Sequence, residues 1–175
     1  IILKEGEWKK IKYIEKEHNK KLKIINYLNV VAGQSDNLTF GLNECILNEV
    51  QEMQLIKEIH EDPNSVMIVA KDGDEIVGIA TLSGNQKTRL SHRAQMGVSV
   101  LKSYWHQGIG SKLVAIIIGY AAEASIEIIE LEVVTSNENA IALYQKYGFE
   151  VIGTYENFMK IDDHYVDAYL MNLYL

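Results

Sequence analysis

Apolar residues recur at helical spacing over Asn19–Val31, where Leu22, Ile25, Leu28 and Val31 share one face. A strand is expected just before it, around Lys10–Lys16, and a loop through Gly33–Gly41 leads to a second helix around Asn43–His60. The pattern changes after Pro63-Asn64, a turn signal and the site of the single proline. Val66–Lys71 and Glu75–Ser83 are rich in Val and Ile and are joined by Asp72-Gly73-Asp74, which predicts a hairpin. His92–Leu101 adds a third run to this meander. Gly110–Ser125 is apolar almost all round (Leu113, Val114, Ala115, Ile116, Ile117, Ile118), so it is expected as a helix buried between layers. Ile126–Thr135 alternates as a strand, and Asn137–Tyr147 predicts a short helix ended by Gly148. Val151–Ile161 and His164–Leu175 close the chain as a hairpin turning at Asp162-Asp163.

Antiparallel strands followed by strand–helix units predict a mixed α/β (α+β) domain. Three of the twelve glycines precede residue 70 and nine follow it, so tight turns concentrate in the later part. A length of 175 residues suits one domain with a sizeable core. Seventeen Lys and Arg against twenty-four Asp and Glu leave a net charge of −7, which argues against nucleic acid or anionic membrane as a partner. One cysteine excludes an internal disulfide and a thiolate zinc site. No stretch reaches the ~20 apolar residues of a membrane span. The opening Ile1-Ile2-Leu3 is too short for a signal-peptide core, so a cytoplasmic location is expected; the chain starts without Met, which leaves its true N-terminus open.

The strongest local feature is Tyr104-Trp105-His106-Gln107-Gly108-Ile109-Gly110-Ser111-Lys112, at a strand-to-helix junction. Its glycines let the backbone turn sharply, and its free N–H groups together with the helix dipole form an anion cradle suited to phosphates. A plain glycine-assisted turn fits the same residues. A Walker-type loop is excluded because Ser111 precedes Lys112, and a dinucleotide fingerprint lacks its third glycine. The second feature is Asn137-Glu138-Asn139-Ala140-Ile141-Ala142-Leu143-Tyr144-Gln145-Lys146-Tyr147-Gly148-Phe149. Asn137 is a natural N-cap, and Ala140, Leu143, Tyr144 and Tyr147 fall on one helix face. By itself this describes a capped helix with a packed aromatic side.

Taken together, the two features resemble the GCN5-related N-acetyltransferase (GNAT) superfamily. The loop of that superfamily follows [Q/R]-x-x-G-x-[G/A], and its later helix N-x-x-A-x-x-L-Y-x-x-x-G-F. Asn137, Ala140, Leu143, Tyr144, Gly148 and Phe149 match the second pattern at every fixed position, while Trp105 stands where the loop pattern begins with Gln or Arg. The resemblance implies a single GNAT-like domain with a central, mostly antiparallel twisted sheet of about six or seven strands and about four helices. It divides the chain into acceptor-side strand and helices (1–65), an acetyl-CoA-binding core (66–149) and a closing hairpin (150–175).

The resemblance also implies site residues. Backbone N–H groups of His106, Gln107, Gly108, Ile109, Gly110 and Ser111 would hold the pyrophosphate of acetyl-CoA. Val98-Ser99-Val100 would pair with the pantetheine arm and offer an N–H to the thioester carbonyl. Asn137 would bind the cofactor from the far side, and Tyr144 would protonate the departing thiolate. Glu132 matches the general base of the ribosomal-protein N-terminal acetyltransferases; Glu130 and Glu44 are its rivals. Direct attack requires neither a metal nor a covalent cysteine. His18, His60, His92, His106 and His164 lack metal-ligand spacing, and Cys45 reads as a small buried group. Donor and acceptor would meet where two neighbouring strands splay apart.

The implied activity is acetyl-CoA-dependent transfer of an acetyl group to a primary amine. The alternative is a non-catalytic acyl-CoA-binding or regulatory module of the same fold; a nucleotide-binding α/β protein is a third reading. The expected acceptor wall carries Ser35, Asp36, Asn37, Glu44 and Glu49, which suits a cationic small molecule such as a polyamine, and an amino-acid-like compound or a peptide N-terminus fits equally. A homodimer is left open.

Overall fold

A computed structural model describes residues 9–10, 18–45 and 47–175. Its elements, in chain order, are β1 (Lys9–Lys10), α1 (His18–Ala32), α2 (Glu49–Glu61), β2 (Val66–Asp72) and β3 (Glu75–Gly84), then β4 (Arg93–Val100) and α3 (Ile109–Glu123). They continue with β5 (Ile128–Val134), α4 (Glu138–Lys146), β6 (Glu150–Ile161) and β7 (His164–Tyr174). Together the strands form one seven-stranded sheet in the order β1-β2-β3-β4-β5-β7-β6. The expected mixed α/β class, mostly antiparallel sheet and closing hairpin are all present. Of the early strand expected over Lys10–Lys16, Lys10 pairs with Ile68, and residues 11–16 lie outside the described residues.

The hairpins form where their turn residues dictate. Gly73 takes φ +58 between β2 and β3, and Asp162 and Asp163 take φ 44 and 66 between β6 and β7. Both central residues of the second turn are therefore left-handed, as a type I′ hairpin demands. The second helix begins later than its sequence suggested. Asn43 sits in a turn at φ 62, and Asn48 is the real N-cap, exchanging hydrogen bonds with Gln51 at 3.0 Å in both directions. That capping box fixes the first turn six residues downstream of the expected start.

Two cores lie on opposite faces of the sheet. On one, α3 lays Ile109, Leu113, Val114, Ile117 and Ala121 against even-numbered residues such as Ala80, Leu82, Ala94 and Met96. On the other, Ile24, Tyr27 and Val31 of α1 pack on Met67, Val69, Ile76, Ile79 and Leu101. The expectation that α3 is enclosed on all sides is corrected: Lys112, Ala115, Gly119 and Ala122 face outward and are exposed. A helix lying on one face of a sheet buries one stripe, and small residues leave little apolar surface on the outer side.

Gly84 closes the β3 edge against the turn before β2. An added Cβ would lie 2.5 Å from Asn64 Cβ and 2.8 Å from the Asn64 carbonyl oxygen. Gly84→Ala should therefore cost about 2 kcal/mol of stability through overpacking. Chemical denaturation measures it, and an unshifted midpoint would mean the turn gives way freely.

Candidate active site

Among the described strands β4 and β5 are the one parallel pair, as a crossover through α3 between them requires. Their pairing is short. It runs Arg93 with Ile128, Ala94 with Ile129 and Gln95 with Glu130, and then stops. Beyond Gln95, β4 continues to Val100 paired only to β3, and β5 continues to Val134 paired only to β7. The strands splay, as expected, and the gap between them leads to the N-terminus of α3.

The peptide groups that face this gap follow from the ladder. Leu101 N–H donates to the Val77 carbonyl at 3.0 Å, which makes Gly78 and Val100 a non-hydrogen-bonded pair. Alternation then turns the peptide groups of Val98 and Val100 toward the gap and those of Ser99 toward Ile79 of β3. Of the strand Val98-Ser99-Val100, the first and last residues can offer an N–H to a partner lying in the gap. Ser99 instead uses its side chain, whose Oγ lies 2.9 Å from the Tyr27 hydroxyl on α1. Burial pushes the Tyr27 phenol up, so it remains a neutral bridge between α1 and β4.

After β4 the chain makes a 3₁₀ turn over Lys102–Tyr104 and enters the glycine loop. His106 takes φ 59 and Gly108 takes φ 82 as the N-cap of α3. Gly108 has no side chain to cap the helix, and Lys112 N–H is the amide that bonds back to its carbonyl, at 3.0 Å. The amides of Ile109, Gly110 and Ser111 thus belong to the open first turn. An added Cβ at Gly108 would meet nothing within 4 Å, so the space above the loop is clear. Trp105, which replaces the family's Gln or Arg, donates its indole Nε1–H to the Val100 carbonyl at 2.8 Å. It anchors the loop to the end of β4 and leaves the amide cradle untouched. Sequence inspection missed this role, since the acceptor is a backbone group set by the register of β4.

α4 flanks the cradle. Asn137 caps it, its Oδ1 accepting from Ala140 N–H at 3.3 Å, which leaves the Nδ2 donors for another partner. Tyr144 is buried, tilted against Phe149 with centroids 5.6 Å apart. Desolvation pushes its phenol up to about 12. Tyr147 donates to the Ser111 carbonyl at 2.8 Å and lies 2.9 Å from Ser111 Oγ, joining α4 to the first turn of α3.

The candidate bases separate by their partners. Glu130 is held by Arg93, whose Nε donates at 3.0 Å. Glu132 is exposed and accepts from the neutral amide of Gln95 at 2.8 Å, so no counter-charge is committed to it. Glu44 turns back on its own loop, its Oε2 accepting from Gly41 N–H at 2.8 Å. Burial, followed by the charge of Glu52, pushes the Cys45 thiol up, which makes it a poor nucleophile. Among the described residues, no group of His, Cys, Asp or Glu is placed to hold a metal, and no helix is long and apolar enough to cross a membrane.

The family model described as acetyltransferase (GNAT) family matches residues 37–149. L-amino acid N-acetyltransferase AaaT of Escherichia coli (strain K12) is 36% identical over 106 residues, covering 60% of this chain and 65% of that protein. The chain thus spans less than two thirds of that relative's length. A crystal structure of a GNAT-family acetyltransferase from Streptococcus pneumoniae superposes with a TM-score of 0.86 at 26% identity, over 90% of this chain and 95% of that one. The structure of yncA from Salmonella typhimurium, a protein described with its cofactor acetyl-CoA, has a TM-score of 0.79 at 14% identity, over 91% and 90% of the two chains.

Proposed function

The chain belongs to the acetyltransferase (GNAT) family, and from that premise we propose that it transfers the acetyl group of acetyl-CoA to a primary amine by direct attack. The observation that carries this reading is the edge of β4 beyond Gln95, paired to β3 but free on the side of β5, which leads into the open first turn of α3. The residues fit acetyl-CoA: a strand edge for an amide-bearing arm, and a clear amide cradle for a pyrophosphate. The yncA structure with acetyl-CoA, on the same fold, supports that choice of donor. When bound, acetyl-CoA supplies an activated acetyl thioester.

The chain's own residues supply the rest. N–H groups of His106 to Ser111 hold the phosphates, and the nitrogen of Asn137 reaches the cofactor from the opposite side. Val98 or Val100 N–H faces the oxygen on which negative charge develops. Glu132 takes the proton from the incoming ammonium, directly or through a water, because a protonated amine has no lone pair. Tyr144 offers its phenolic hydrogen to the departing sulfur. Free L-α-amino acids come first as acceptors, a choice supported by the name of AaaT; peptides with free N-termini come second.

Incubation with acetyl-CoA and a panel of L-amino acids, polyamines and short peptides, read by thiol release and product mass, tests the reading. Acetyl-CoA binding with no thiol release above background would leave an acyl-CoA-binding module instead. Glu132→Gln should slow acetylation about 10²-fold with acetyl-CoA affinity unchanged. A wild-type rate would pass the role of base to water or another group.

A further inference from the structure

We infer that Gln95 is the positioning residue of the acceptor site: it holds one carboxylate oxygen of Glu132 and thereby aims the other into the gap between β4 and β5. The inference rests on Glu132 being the base.

The two strands are joined on the face opposite α3 by a repeating diagonal ladder. Arg93 lies opposite Ile128 and reaches two residues on, to Glu130; Gln95 lies opposite Glu130 and reaches two residues on, to Glu132. The first rung is a charged pair that clamps the strands where they still hydrogen-bond. The second has the same geometry with a neutral donor, and it stands at the last paired position. The third rung would be Gly97 reaching toward Val134, and Gly97 has no side chain. The ladder therefore ends at Glu132, and the space beyond it is open where the strands part. An added Cβ on Gly97 would meet Thr81 Oγ1 at 3.2 Å and nothing else within 4 Å.

The chemistry of the second rung matters. An arginine at position 95 would pair Glu132 with a full positive charge, as Arg93 pairs Glu130. An amide fixes the geometry of the carboxylate and leaves its charge uncancelled. Two residues back from Glu132 along the same face of β5 stands Glu130 with its partner Arg93. Leu170 of β7 lies opposite Glu132 and Ala168 next to that, while Glu150 of β6 stands one strand further out, beside Asn172. α1 and α2 pack on β3 and β2.

The test compares Gln95→Glu, Gln95→Leu and Glu132→Gln in the whole chain. It uses a pool of L-amino acids and short peptides with free N-termini as acceptor. In Gln95→Glu a second carboxylate beside Glu132 raises its proton affinity, so the acid limb of the kcat/KM profile should move up by about one pH unit. Gln95→Leu should lower kcat about tenfold through lost aim, with KM for acetyl-CoA unchanged. If Glu132→Gln is slow but both Gln95 variants keep the wild-type profile and kcat, the positioning role is overturned and the base survives. If Glu132→Gln runs at the wild-type rate, the base reading falls and takes the inference with it. Should no acceptor in the pool react, carboxyl NMR decides. A Glu132 titration midpoint that does not move in Gln95→Glu overturns the contact itself.

Discussion

Gly110→Asp is expected to fold as well as the parent and to lose acetyl-CoA almost completely. An added Cβ at this position would lie 3.5 Å from Leu143 Cδ2 and 3.9 Å from Val100 Cγ2, both ordinary contact distances. The new carboxylate would stand in the first turn of α3, where negative charge is favoured by the helix dipole. Folding therefore gains or loses little. Binding should suffer, because the side chain stands in the turn proposed to hold the pyrophosphate. Like charges about 4 Å apart at an effective dielectric near 20 repel by about 4 kcal/mol, or about 10³-fold in Kd. Isothermal titration with CoA and a thermal melt, run side by side, measure both halves. Gly110→Ala adds the bulk without the charge and should weaken binding by less than about tenfold. Unchanged CoA affinity in Gly110→Asp would move the phosphate site elsewhere.

The weight placed on backbone amides follows from the charge of the chain. With a net charge of −7 the molecule has no basic surplus to draw in a polyanion. Arg93 is committed to Glu130, and Lys102 stands over the Trp105 ring at 5.8 Å. A helix N-terminus needs no basic side chain to bind an anion, so an acidic protein can still hold a phosphorylated ligand. Trp105 fits this reliance on backbone groups. It replaces a polar residue of the family pattern and contributes an anchor to β4 rather than a charge.

Local signals in the sequence carried over well into the structure. The Asp162-Asp163 turn, the Asn137 cap and the Gly108 junction each depend on residues within a few positions of one another, and each appears where expected. The start of α2 was misplaced because Asn43 and Asn48 are both plausible caps, and only Asn48 has a glutamine three residues on to close the box. The enclosure of α3 was overestimated because an apolar run reveals what a helix tolerates, not how many sides the fold covers. Long-range partners were harder still. Glu130 and Glu132 look alike along the chain, and they differ only because parallel register sets Arg93 against one and Gln95 against the other. The side-chain link between Tyr27 and Ser99 spans 72 positions and leaves no trace in local pattern.

Tyr144→Phe should lower kcat by about 10²-fold or more and leave acetyl-CoA affinity nearly unchanged. The two side chains differ by one hydroxyl, and the ring would keep its place against Phe149, so a change in packing cannot account for such a loss. The phenol's position on the pH scale sharpens the expectation. Desolvation raises it to about 12, above its ordinary value near 10, so it is fully protonated throughout the working range. Against a departing thiolate, whose ordinary value lies near 8.5 for a cysteine-like thiol, complete proton transfer would run uphill. In the proposed role the hydroxyl then serves best as a hydrogen-bond donor that lowers the cost of thiolate departure. The sign of the shift gives a further result. A raised phenol stays active to higher pH, so the ratio of wild-type to Tyr144→Phe turnover should be flat from pH 6 to pH 10. The same shift contributes stability that is complete below about pH 10 and is lost as pH rises through about 12, and Tyr144→Phe should remove that dependence. Equal losses in kcat and in acetyl-CoA affinity would make Tyr144 a packing residue. A turnover ratio that collapses with a midpoint near pH 10 would show instead that the phenol works in water, outside the pocket that raises it.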